Sequence, residues 1–160
     1  MLPYNFQAPF FCKIVGPPYS GKRKVIEKFL QQPCLNIEPQ VKRIIYCHIG
    51  PRPFYIDNVE FFRGIPNLEH IKNSLLIFDD LEDFCVESSA IQDLFLNNSF
   101  GNSVIFLSHQ FSYPGQYEDL INQKIDYLFQ TRNHIGVDEL KKIGYQLIED
   151  LYFSSNDDKD

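Results

Sequence analysis

The stretch that most constrains the fold begins at Phe11 and reads FCKIVGPPYSGKRKVIEKFL. An apolar run that ends at Gly16 has the character of a strand. Lys22 to Gln31 places Val25, Ile26, Phe29 and Leu30 among charges at helical spacing, and Pro33 stops that helix. Between them lies Gly16-Pro17-Pro18-Tyr19-Ser20-Gly21-Lys22-Arg23, the pattern G-x-x-x-x-G-K. A glycine-rich turn from strand into helix points successive backbone N–H groups inward, and the helix start adds partial positive charge, so the two make an anion cradle. In the full form of the motif a lysine reaches the phosphates and a Ser or Thr hydroxyl ligates Mg²⁺. Here Arg23 stands at the hydroxyl's position. The opposing reading is a tight turn whose glycines serve geometry alone.

Downstream, strands and helices alternate. Val41 to His48 reads as a strand closed by Gly50-Pro51-Arg52-Pro53, and Asn58 to Arg63 as a short edge strand. Ser74 to Phe78 and Ser103 to Leu107 are continuous apolar runs, expected of strands buried on both faces. Ser88 to Leu96 reads as a helix with Ser88 or Ser89 as its cap. Tyr117 to Gln123 reads as a short helix, Ile125 to Phe129 as a last strand and Val137 to Tyr152 as a final helix. The expectation is one α/β domain over residues 1–153, with a largely parallel sheet covered on both faces, and an acidic solvated tail over 154–160. A chain of 160 residues agrees with one domain.

Two further groups could carry chemistry at strand ends, where open α/β sheets bind ligands. Leu75-Leu76-Ile77-Phe78 runs into Asp79 and Asp80, an apolar strand closed by two acids. In a nucleotide site the first acid holds the metal through its water shell, and the second orients or deprotonates the attacking water. Ser108-His109-Gln110 ends the next buried strand, and there His109 or Gln110 could sense a terminal phosphate; strand capping is the plain alternative. His48, His70 and His134 have no partner in the sequence, and His48 is expected to be a half-buried surface residue.

These landmarks, taken in order, resemble the genome-packaging ATPases of large DNA viruses and Maverick-type mobile elements, within the FtsK–HerA superfamily of P-loop motors. The likeness spans roughly residues 8–148 and rests on KIVGPPYSGK, VKRIIYCH, NVEFFRGIP, LLIFDDL, AIQDLF and NSVIFLSHQ. Its most specific part is Leu94-Phe95 leading into Asn102-Ser103-Val104 and ending at Ser108-His109-Gln110, where the family has Thr-Gln-Asn. The resemblance implies a P-loop NTPase, RecA-like sheet and ATP held by Gly16 through Arg23. It also implies Mg²⁺ at Asp79, water activation by Asp80, and γ-phosphate sensing by His109 or Gln110. Its implied partners are duplex DNA inside a homo-oligomeric ring, and a capsid protein.

Three residues depart from the family pattern. Arg23 has donors only and a fixed positive charge, so it cannot ligate Mg²⁺ and should repel it; it could contact phosphate directly. His109 replaces glutamine. Phe100-Gly101 stands where the family often has a basic residue that can act in trans, which leaves Arg132 as the nearest substitute. Loss of such a finger can cost several powers of ten in rate. These departures keep open a second reading, a degenerate member that binds nucleotide weakly or not at all and serves as a structural or interaction subunit. A nucleotide kinase is disfavoured because no Arg-rich lid segment is present.

Composition bounds the partners. A net charge of −6 argues against a broadly basic nucleic-acid surface. Cys12, Cys34, Cys47 and Cys85 include no C-x-x-C pair, so neither a zinc site nor a dithiol is indicated. Reduced buried thiols suit a reducing compartment, the host cytoplasm or nucleus if the gene is viral. The start of the chain lacks signal-peptide character, and no apolar run approaches about 18 residues, so no membrane span is expected.

Overall fold

The computed structural model describes residues 4–31 and 35–131. Arg132, His134, Cys34, the helix expected over 137–152 and the tail over 154–160 lie outside the described residues. The described elements are β1 (Tyr4–Gln7), β2 (Phe11–Val15), α1 (Lys22–Gln31), β3 (Leu35–Glu38), β4 (Ile44–His48), β5 (Val59–Arg63), β6 (Leu75–Asp79), α2 (Glu82–Cys85), α3 (Ser89–Leu96), β7 (Ser103–Ser108), α4 (Glu118–Lys124) and β8 (Tyr127–Gln130).

Six strands form one sheet in the order β5-β4-β6-β7-β2-β8, and every described pairing in it is parallel. The molecule is thus an α/β fold with a parallel sheet and helices. The chain moves from β2 through α1 toward the β5 edge, then returns through α2, α3 and α4 toward β8. Right-handed crossovers taken in opposite directions put their helices on opposite faces. One face accordingly buries Cys12, Ile14, Leu75, Ile77, Ile105 and Leu107 against Ile26 and Phe29 of α1. The other buries Phe11, Leu76, Phe78, Val104 and Phe106 against Ile91, Leu94 and Phe95 of α3 and Ile121 of α4. Burial on both faces explains why β6 and β7 read as unbroken apolar runs.

The edge position expected for Asn58 to Arg63 is found, with β5 ending the sheet. Ser88 is the cap of α3, accepting from the Ile91 N–H at 3.4 Å. The strand expected from Val41 is shorter. Over residues 41–43 the backbone bonds run from Lys42 N–H to the Asn73 carbonyl at 2.8 Å and from Leu75 N–H to the Arg43 carbonyl at 2.9 Å, and the ladder with β5 opens at Ile44. Unforeseen in sequence was a separate two-stranded parallel sheet of β1 and β3, each four residues long.

Asn102 and Ser103 work as architecture. Asn102 is buried, donates to the Ile71 carbonyl at 2.8 Å and accepts from the Ser74 N–H at 3.1 Å, which ties the start of β7 to β6. Ser103 Oγ accepts from the Phe10 N–H at 3.1 Å, which ties it to β2. Gly101 has a backbone reason of its own, with φ of 66° and a position where a Cβ would meet Asn73 Oδ1 at 2.7 Å. These contacts lie at the strands' N-terminal ends, away from the glycine loop.

Candidate phosphate-binding site

Parallel pairing aligns the C-terminal ends of β2, β7 and β6, with β7 between the other two. The glycine loop leaves β2, His109 leaves β7, and Asp79 and Asp80 close β6. The loop is fastened at its base, where Gly16 N–H donates to the Ser108 carbonyl at 3.0 Å. Ser20 Oγ meets Thr131 Oγ1 at 2.6 Å. A Cβ on Gly16 would come within 1.8 Å of Thr131 Oγ1 and 2.6 Å of Ser20 Oγ, so glycine is required here for space. Gly16→Ala is therefore expected to push this pair apart and to lower stability by about 1–3 kcal/mol, read from a denaturant melt. At the tip, Tyr19 takes φ of 63° with its ring fully exposed, and Gly21 takes φ of 95° as the chain enters α1.

The first turn of α1 holds Lys22, Arg23 and Lys24 and no acid. Cations at a helix N-terminus oppose its dipole by about 0.3–1 kcal/mol each, an arrangement that favours an anion nearby. Lys22 is buried, and its ammonium donates to the Gly16 carbonyl and, at 2.8 Å, to the Pro17 carbonyl. Burial pushes its pKa down from the ordinary lysine value; Asp79 and Asp80 pull against that, and Arg23 adds to it.

The third partner of Lys22 is His109 Nδ1 at 3.3 Å, while His109 Nε2 lies 3.0 Å from Asp80 Oδ1. An ammonium only donates and a carboxylate only accepts. The partners therefore assign a neutral imidazole with its proton on Nε2, which makes a directed chain from Lys22 through His109 to Asp80. Asp80 holds φ of 57°, a left-handed conformation that aspartate tolerates better than most residues, and its N–H donates to the Leu107 carbonyl at 3.0 Å. Gln110 follows His109 at the surface.

Asp79 points to the α1 side of the sheet and is only 4% exposed. Its Oδ2 accepts from Arg23 Nε at 2.8 Å and from the Tyr46 hydroxyl at 2.6 Å. For Arg23 partial burial opposes the charge, but the hydrogen bond and charge of Asp79 outweigh it and its pKa rises. Burial and the neighbouring carboxylate push the Tyr46 phenol far above its ordinary range, so it remains a donor. Mg²⁺, which the resemblance implies at Asp79, does not fit these residues. Oδ2 already carries two donors, and Arg23 brings no lone pair and a fixed positive charge to the same carboxylate.

Ser108 turns to the opposite face, where its hydroxyl bonds Glu82. Glu82 also pairs with Lys13, and both side chains are fully buried. Lys13 donates in addition to the Phe111 carbonyl at 3.0 Å and to Asn122 Oδ1 at 2.9 Å. Burial pushes the Glu82 carboxyl up to about 7, with Lys13 and Ser108 working against that and Glu118 adding to it. This network braces the ends of β6 and β7 from below.

The structure therefore brings Lys22, Arg23, Asp79, Asp80 and His109 together. His48 is buried, with Nδ1 lacking a partner, rather than half-buried; it packs edge-on to Phe61 at a ring distance of 6.3 Å. Tyr46 was missed in sequence because a tyrosine within IIYCH reads as core. Its register is the one available signal, since it pairs with Ile77, two residues before Asp79 on the same face. Cys12, Cys47 and Cys85 are free and buried, and burial pushes the Cys47 thiol up to about 12, so it stays protonated. No helix among the described residues is long and apolar enough to cross a membrane.

Comparison of the chain with family models, with curated proteins and with solved structures gave no match.

Proposed function

We propose that this protein is an ATP-binding P-loop NTPase, RecA-like in its sheet, which holds the phosphate chain in the glycine loop between Gly16 and Arg23. The observation that carries this reading is the buried Lys22 ammonium inside that loop, joined through His109 to Asp80 across adjacent parallel strand ends. The basic, acid-free first turn of α1 supports it. The pairing of Arg23 with Asp79 favours holding ATP over fast turnover, because the acid that resembles a metal holder is already neutralised. Titration calorimetry of the full chain with ATP tests the proposal; absence of heat and of any ATP-dependent rise in melting temperature overturns it.

A second reading, ATP hydrolysis, is favoured by one specific feature. Asp80 receives the His109 proton at 3.0 Å and is half exposed, a position from which a carboxylate can orient water. On that reading Asp80→Asn is expected to reduce steady-state phosphate release by about 10²-fold or more, with ATP affinity held. A rate equal in the two proteins removes it. The homo-oligomeric ring, duplex DNA and capsid contact implied by the resemblance belong to the same proposal. DNA-stimulated phosphate release and ATP-dependent sedimentation are their tests.

A further inference from the structure

We infer that Arg23 is the resident cation of this site, so that the protein binds the phosphate chain of a nucleotide without a divalent metal. The inference rests on the nucleotide-binding reading and specifies the form of ligand, a metal-free nucleoside polyphosphate. Two independent features lead to it. The first is the position of Arg23. It lies in the first turn of α1, next to the lysine that enters the loop, and its Nε is 2.8 Å from Asp79 Oδ2. A guanidinium there performs the charge compensation of Asp79 that a bound ion would otherwise provide, and it does so permanently, since arginine does not lose its proton in proteins.

The second feature is Tyr46. Its hydroxyl donates to the same carboxylate oxygen from β4, at 2.6 Å, and its ring is held by Phe54 at 5.0 Å and Phe61 at 5.4 Å between ring centres. Asp79 is thus oriented by a rigid buried donor as well as by Arg23, both on Oδ2. Nε uses one of the five donors of Arg23, and the side chain is 59% exposed, so the guanidinium stays accessible to an incoming anion. Lys22 and Arg23 balance Asp79 and Asp80, so the two acids present no uncompensated negative charge to an incoming phosphate. Arginine also matches phosphate oxygens with paired N–H groups, which a lysine at this position would lack.

The test measures ATP affinity of the full chain by calorimetry in excess EDTA and in millimolar Mg²⁺, for the wild type, Arg23→Thr and Arg23→Lys. The wild type is expected to bind equally in the two buffers, within about twofold, and Arg23→Lys to remain metal-independent with weaker affinity. Arg23→Thr restores a hydroxyl and leaves Asp79 without its cation, so it should bind at least about tenfold more weakly in EDTA than in Mg²⁺, the worth of one charge-assisted hydrogen bond. A readout without nucleotide accompanies it. Millimolar Mg²⁺ should raise the melting temperature of Arg23→Thr and leave that of the wild type unmoved. Wild-type binding that needs Mg²⁺ overturns the inference and leaves the nucleotide reading standing. Wild-type protein that binds ATP in neither buffer overturns both. Metal-independent binding retained in Arg23→Thr, with no effect of Mg²⁺ on its melting, also overturns the role assigned to Arg23.

Discussion

Lys13→Met is expected to destabilise the protein by about 3–5 kcal/mol, because it leaves the Glu82 carboxylate buried without its cation. Set against a total stability of about 5–15 kcal/mol, this is the difference between a folded and a marginal domain. The loss spreads beyond one pair, since the Phe111 carbonyl and Asn122 Oδ1 lose their donor as well. The double variant Lys13→Met, Glu82→Leu should recover part of the loss, because an apolar pair avoids desolvating two charges, although Ser108 then lacks its acceptor. The pH dependence has a defined sign. Burial holds the folded Glu82 carboxyl near 7, above its value of 4.5 in the open chain. Stability linked to it is fully present below about 4.5 and is lost as pH rises through about 7. Without Lys13 one influence that lowers this pKa disappears. The gap between variant and wild type should therefore widen as pH rises, and denaturant melts at pH 5 and 8 read it directly.

That prediction concerns residues the sequence did not mark, and the reason is physical. Lys13 lies inside FCKIV, where a lone lysine in an apolar strand carries no sign of whether it is paired below the sheet. Its partner Glu82 is 69 positions away and belongs to a four-residue helix too short for periodicity to register. The large elements were legible, because β6 and β7 are buried on both faces and α1 has a one-sided apolar stripe. Gly16, Lys22, Asp79, Asp80 and His109 were legible as a set because each closes a strand or opens a helix, and parallel pairing brings such ends together. What the set does was less legible. Arg23 at the motif's hydroxyl position raised the expectation of altered metal chemistry. Only the fold shows that Arg23 reaches back to Asp79, and that Tyr46 from β4 closes the same carboxylate. Side-chain direction across three strands is a tertiary property, and residue order along the chain does not contain it.

Lys22→Met should separate function from stability in the opposite way to Lys13→Met. ATP affinity is expected to fall by at least about 10²-fold, since an ammonium at the phosphate chain contributes charge-assisted bonds of about 1.5–3 kcal/mol each. Stability is expected to hold or rise. Burial depresses the Lys22 pKa, which means that its charge is less favourable in the fold than in water, and replacing it removes that penalty. The carbonyls it leaves behind, on Gly16 and Pro17, belong to a loop whose next residues, Pro18 and Tyr19, are exposed, so water can replace the ammonium. A buried cation that the fold tolerates at a cost is the usual mark of a residue kept for a ligand. Calorimetry with ATP and a thermal melt on the same sample decide the matter. A lower melting temperature with ATP affinity unchanged would make Lys22 a strut of a tight turn, and the glycine loop a piece of geometry. A steady or higher melting temperature with ATP binding lost assigns it to the phosphates, and the two buried lysines of β2 and α1 then divide structure and function between them.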